Sequence, residues 1–136
     1  MYLTDEQINI IKTFLEQQLN PYLIVIFGSA ITGQLRPDSD VDIAFLSDRK
    51  IGSYQLFLIS QKLADQLGRE VHLIDLEQAS TVLQAQIVGK GQIILDKEPI
   101  RRQEYYILVL KMYARLNEER APIFKKIKER GSIYAR

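Results

Sequence analysis

Residues 27–46 read FGSAITGQLRPDSDVDIAFL, and the rest of the chain takes its place around them. Just upstream, residues 22–27 (YLIVIF) form a continuous apolar, β-branched run, the pattern of a strand buried on both faces. Gly28 ends that run, and glycine lets the backbone turn sharply and approach a ligand closely. Ser29 is placed to cap a short helical turn over residues 30–32. The free N–H groups and partial positive charge at such a helix start suit a phosphate, and the serine hydroxyl adds a donor. Residues 41–46 (VDIAFL) read as a second strand, with Asp42 alone breaking its apolar character. Side chains alternate along a strand, so Asp40 and Asp42 share a face. Two carboxylates that close repel each other and raise each other's pKa unless a cation stands between them. Magnesium takes oxygen ligands and binds through one or two carboxylates plus substrate phosphates. A turn through Asp38, Ser39 and Asp40 would account for Asp40. It does not account for Asp42, because a charge inside an apolar strand needs a partner.

A third acid repeats the anomaly. Asp75 stands near the end of residues 71–76 (VHLIDL), which read as a third strand. If this strand lies beside the second, Asp40, Asp42 and Asp75 can meet around two metal ions, the arrangement for in-line phosphoryl or nucleotidyl displacement. One ion would orient a triphosphate. The other would lower the pKa of the attacking hydroxyl, with Asp75 assisting as its base. The competing reading makes Asp75 a strand-end cap before Leu76 and Glu77. His72 alternates with Val71 and Leu73, faces away from the Asp75 side, and reads as a packed or surface imidazole.

Farther out, Thr4 and Gln7 have capping-box spacing, and Ile8, Ile11, Leu15 and Leu19 recur at helical intervals, predicting a helix over residues 5–19 that Asn20 and Pro21 stop. Further helices are expected from residue 53 or 54 to 67, closed by Gly68, and over about 80–88, with a short extended segment at 93–95. Gly89 and Gly91 flank Lys90 in a turn where a phosphate role is a weak reading. Pro99 suits the first turn of a long helix reaching about residue 117. Pro122 should break or kink the chain beyond that helix. A last amphipathic helix around Phe124 and Ile127 should stop at Gly131, leaving residues 132–136 loose. The expected class is α+β, a small mixed sheet flanked by helices. Residues 1–98 form the core and residues 99–136 a helical extension, one domain overall, as 136 residues predict.

Composition narrows the function classes. With no cysteine, disulfides and thiolate metal sites are excluded. The N-terminus has no basic leader before an apolar core, and the apolar runs are too short to span a bilayer, so a cytoplasmic protein is expected. The net charge of +1 hides an asymmetry: residues 1–110 carry 10 Lys/Arg against 14 Asp/Glu, residues 111–136 carry 8 against 3. For most of that basic end a solvated helix face is the simplest reading. No helix-turn-helix or zinc spacing is visible, so direct nucleic-acid binding is not expected.

Gly28–Ser29, ten intervening residues and Asp40-x-Asp42 match the GS-x10-D-x-D signature of the nucleotidyltransferases related to DNA polymerase β. In size and in the wording of residues 27–46 the chain resembles their minimal (MNT) group, over roughly residues 22–76. That resemblance implies the polymerase β-like fold, Mg2+ as cofactor (two ions) and ATP as substrate. It implies that Gly28 and Ser29 bind nucleotide while Asp40, Asp42 and Asp75 hold metal and carry catalysis. Chains of this kind are commonly the antitoxin of a type VII-like pair. They transfer AMP to a tyrosine of a cognate HEPN-domain ribonuclease toxin and assemble with it. A small-molecule nucleotidyltransferase, as in aminoglycoside modification, and an antitoxin acting by binding alone are the alternatives. Many relatives carry arginine or tyrosine after the Gly-Ser pair; Ala30 stands here, so a basic contact to the triphosphate must come from elsewhere, from Arg36 or a residue of the helices, or be absent. The long helix carries apolar and aromatic residues on more than one stripe (Tyr105, Tyr106, Leu108, Val109, Leu110, Met112, Tyr113). The second stripe is either buried or a partner surface.

Overall fold

The computed structural model describes residues 2–134, with side chains through residue 122. Its elements run α1 (Asp5–Leu19), β1 (Leu23–Phe27), α2 (Ser29–Thr32), β2 (Val41–Leu46), α3 (Ser53–Leu67), β3 (Val71–Asp75), a 3-10 turn (Leu76–Gln78), α4 (Thr81–Lys90), β4 (Gln92–Asp96) and α5 (Pro99–Tyr134). The sheet order is β3-β2-β1-β4. β1 pairs antiparallel with β2 and β4, whereas β2 and β3 are parallel, so the sheet is mixed.

Alternation along the strands builds two apolar layers. One face gathers Ile24, Ile26, Ile43, Phe45 and Leu73 against Ile11, Leu15 and Leu19 of α1 and Ile59 and Leu63 of α3. The other gathers Leu23, Val25, Ala44 and Leu46 against Leu76 and Ile87, with Tyr105 and Tyr106 of α5 packed at its edge. This explains why residues 22–27 and 41–46 read as nearly unbroken apolar runs: both strands are central and covered on both sides. α1 keeps its expected bounds. The Thr4 hydroxyl accepts from the Gln7 amide, the Gln7 side chain accepts from the Thr4 amide, and Asn20 closes the helix in the left-handed region.

The root of α5 is tied to the sheet. Arg101 makes a forked ion pair with Asp48, at 2.6 and 3.2 Å, and stacks over the Tyr22 ring. Arg102 pairs with half-buried Asp96 at 3.0 Å, and the Tyr105 hydroxyl donates to Gln84 of α4 at 2.7 Å. Both arginines, odd in a first helical turn, thus answer acids on the core. α5 differs from expectation in its length. It passes Asn117, runs through Pro122 and continues past Gly131 to Tyr134. Proline forfeits one backbone hydrogen bond and crowds the preceding turn, at a cost of about 3 kcal/mol. The flanking runs LNEERA and KKIKER are rich in good helix formers and carry the helix across it. The Phe124–Ile127 stripe expected there involves side chains outside the described residues, as do Ala135 and Arg136.

Candidate active site

The antiparallel register pairs Phe27 with Asp42. The turn after β1 therefore folds directly over the first acid inside β2. Gly28 takes φ 73° and ψ −144°, a region open essentially to glycine alone. A Cβ there would collide with the Asp42 Oδ2 atom. Close approach of backbone to carboxylate is thus the physical reason for glycine at this position. The sequence reading placed Ser29 as the cap of the short helix; Gly28 is the cap instead, and Ser29 opens the helix. The Ser29 carbonyl accepts from the Thr32 hydroxyl at 3.2 Å, and among the described residues nothing bonds the Ser29 hydroxyl.

Asp40 sits exposed at the entry to β2, and Asp42 is half-buried one pleat farther in. Burial raises the Asp42 carboxyl above the usual aspartate range; contact with His72 works against that, and the charge of Asp40 adds to it. A desolvated carboxylate beside a second one is stabilised by a cation placed between them. Two carboxylates with open coordination positions suit a hard divalent ion that keeps phosphate and water ligands, as Mg2+ does.

These residues open on a cavity of about 330 Å³ between α2 and α4. Phe27, Gly28, Thr32 and Asp42 form one wall, and Leu83, Gln86, Ile87 and Lys90 form the other. Gln86 and Lys90 lie one helical turn apart, so both face the same side of α4. Lys90 is the cation that this cavity presents, although its flanking glycines offered only a faint signal in the sequence.

Asp75 does not join the pair, and the expectation of three carboxylates around two ions reduces to two. In the parallel register Asp42 lies beside His72, while Asp75 lies beside Phe45. Asp42 and Phe45 are three residues apart and point to opposite faces. Asp75 is also about 10 Å farther along the strand direction, at roughly 3.3 Å per residue. Its Oδ1 accepts from the Glu77 amide at 3.1 Å and caps the 3-10 turn. Its carboxyl is raised by burial, with the Glu77 amide opposing. It faces a different cavity, of about 570 Å³, with Ser47, Asp48 and Ser53. The residue that β3 does bring to Asp42 is His72, whose Nδ1 lies 3.3 Å from Asp42 Oδ1. The sequence reading compared His72 with Asp75 along one strand. The comparison that mattered was across to Asp42, and it required the register.

The polymerase β nucleotidyltransferase family model matches residues 9–100. The chain belongs to this family. Among curated relatives, the protein adenylyltransferase MntA of Shewanella oneidensis is 33% identical over 105 residues, 77% of this chain and 75% of that protein. Among solved structures, a toxin–antitoxin complex with AMP-PNP superposes at a TM-score of 0.81 with 31% identity, covering 89% of this chain and 98% of that one. The MNT antitoxin bound to a tri-AMPylated Shewanella oneidensis HEPN toxin gives 0.78 and 28%, covering 93% and 99%. As a nucleotidyltransferase of this family, the chain has the polymerase β-like fold anticipated from residues 27–46. Among the described residues no helix is long and apolar enough to cross a membrane.

Proposed function

We propose that this chain is an antitoxin that transfers AMP from ATP to a tyrosine of its cognate HEPN-domain ribonuclease toxin, silencing it in the cytoplasm. The similarity to antitoxins solved with their toxins carries this reading. It extends over about nine-tenths of the chain, well past the nucleotidyltransferase core and into α5.

Gly28 and Ser29 receive the triphosphate against the backbone of the turn. Asp40 and Asp42 hold Mg2+, which when bound neutralises phosphate charge and lowers the pKa of the attacking hydroxyl. Lys90, on the α4 wall, supplies the cation that Ala30 does not. The tyrosine oxygen attacks the α-phosphorus in line. The bond from that phosphorus to the β-phosphate oxygen breaks, pyrophosphate leaves with the electron pair, and the phenolic proton passes to solvent. α5 offers the toxin apolar side chains on two stripes: Ile107 with Leu110 and Leu108 with Met112 are exposed, while Val109 turns inward and is buried. Large apolar side chains grouped in water mark a partner surface.

Incubation with ATP labelled at the α-phosphate, Mg2+ and the HEPN toxin encoded beside it is expected to label the toxin, and substitution of the acceptor tyrosine by Phe to abolish the label. Label found solely on small molecules such as aminoglycosides would replace the antitoxin reading with the small-molecule one. Neutralisation that proceeds without any transfer would leave an antitoxin acting by binding alone.

A further inference from the structure

We propose that His72 is a positioning residue for Asp42, donating from Nδ1 to Oδ1 and so holding the carboxylate with Oδ2 directed at the Gly28 turn. Three observations meet on that side chain. The parallel register sets Asp42 and His72 side by side on one face of neighbouring strands, so the backbone itself brings the two groups together. The imidazole Nδ1 lies 3.3 Å from Oδ1. The other oxygen, Oδ2, lies against the α-carbon of Gly28, where a Cβ would collide with it.

The two oxygens therefore have separate neighbours. A free aspartate rotates about two side-chain bonds and offers either oxygen in many orientations. Here one oxygen is held by the imidazole and the other is presented to the site. Outer partners of this kind fix the direction of a ligating carboxylate, and their loss costs about 10- to 100-fold in metal affinity or activity. No other side chain among the described residues bonds Asp42, so this orientation depends on His72. Asp75, to which the sequence assigned the third place in the site, is turned to the opposite face.

The inference rests on the metal role proposed for Asp42, and the experiment separates the two. Mn2+ binding is followed by electron paramagnetic resonance on the purified full chain with a non-hydrolysable ATP analogue. His72→Phe keeps a flat ring and loses the donor; His72→Asn keeps a donor where Nδ1 stood. The ring is 62% exposed on its side chain, so neither change should disturb the core, and thermal melts check this. Mn2+ affinity is expected to fall about tenfold or more in His72→Phe and to stay within about threefold of the parent in His72→Asn. Unchanged affinity in His72→Phe would overturn the proposal. So would a directly bonded imidazole nitrogen in the pulsed spectrum of the parent, because His72 would then be a ligand. Asp42→Asn serves as the control: if it binds Mn2+ like the parent, the metal reading itself has failed.

Discussion

Asp42 and Asp75 each interrupt an apolar strand, and burial raises the carboxyl of both, yet the two ends of the sheet use them differently. Asp42 stands near the start of β2, and among the described residues no backbone N–H donates to its carboxylate. Its neighbours are an imidazole, a second carboxylate and a turn that only glycine can make so close. Asp75 ends β3, and the next turn of chain supplies a backbone N–H to it. An acid whose partner is local backbone is already satisfied. An acid held half out of water against another acid still needs a cation. Burial alone does not distinguish a structural acid from a functional one; the remaining partner does.

Substitution tests that contrast directly. Asp42→Asn should lower AMP transfer by more than the roughly 100-fold that loss of an outer metal partner costs, with an unchanged melting profile. Full activity in that variant would remove the metal assignment. The cavities beside the two acids offer a second contrast. Lys90 lines the one at Asp42, and Lys50 lines the one at Asp75. Lys90→Ala should weaken ATP binding about tenfold or more, the worth of a charge-assisted hydrogen bond, as read by titration with a fluorescent ATP analogue. Lys50→Ala should leave it unchanged, and the reverse result would move the nucleotide to the other cavity. Asp75→Ala should cost about 1 kcal/mol of stability through loss of the cap while leaving transfer within about threefold. Loss of transfer matching Asp42→Asn would erase the distinction.

The smallest effect is in pH. The folded carboxyl of Asp75 is raised above its unfolded value of about 3.9. Its protonated form is therefore the one folding favours. The stability it contributes is complete below the unfolded value and is lost as pH rises through the raised folded one. Denaturant melts of the parent and Asp75→Asn from pH 7 to pH 4 should show the parent gaining stability relative to the variant. A gap that widens the other way would contradict the burial assigned to Asp75.

Much of this was legible in residues 27–46 because the information there is local. The Gly28–Ser29 turn, the spacing to Asp40 and Asp42, and the apolar runs on either side each describe one short segment. The α1 bounds were legible for the same reason, since Thr4, Gln7 and Asn20 act on their own helix ends. What could not be read was relational. Whether Asp75 or His72 meets Asp42 depends on the register between β2 and β3: the two lie three residues apart on β3, and even a single-residue slip exchanges the faces. Pro122 misled in another way. It was read as a break or kink, but favourable residues on both sides carry α5 through it without a break. Lys90 carried only a weak phosphate reading because a lysine between two glycines says little until α4 is seen across from α2.

The helix that leaves the sheet after β4 is long for so small a chain. Its 36 residues correspond to about 54 Å of rod at 1.5 Å per residue. The arginine pairs at its root clamp that rod to the same sheet that carries Asp42. The cavity beside Asp42 is small, with little surface for reading a folded protein. On the proposed function, address and chemistry are therefore written in different parts of the chain: the sheet says what is transferred, and the rod says to whom. Exchanging rods between related chains would then redirect delivery without altering the reaction.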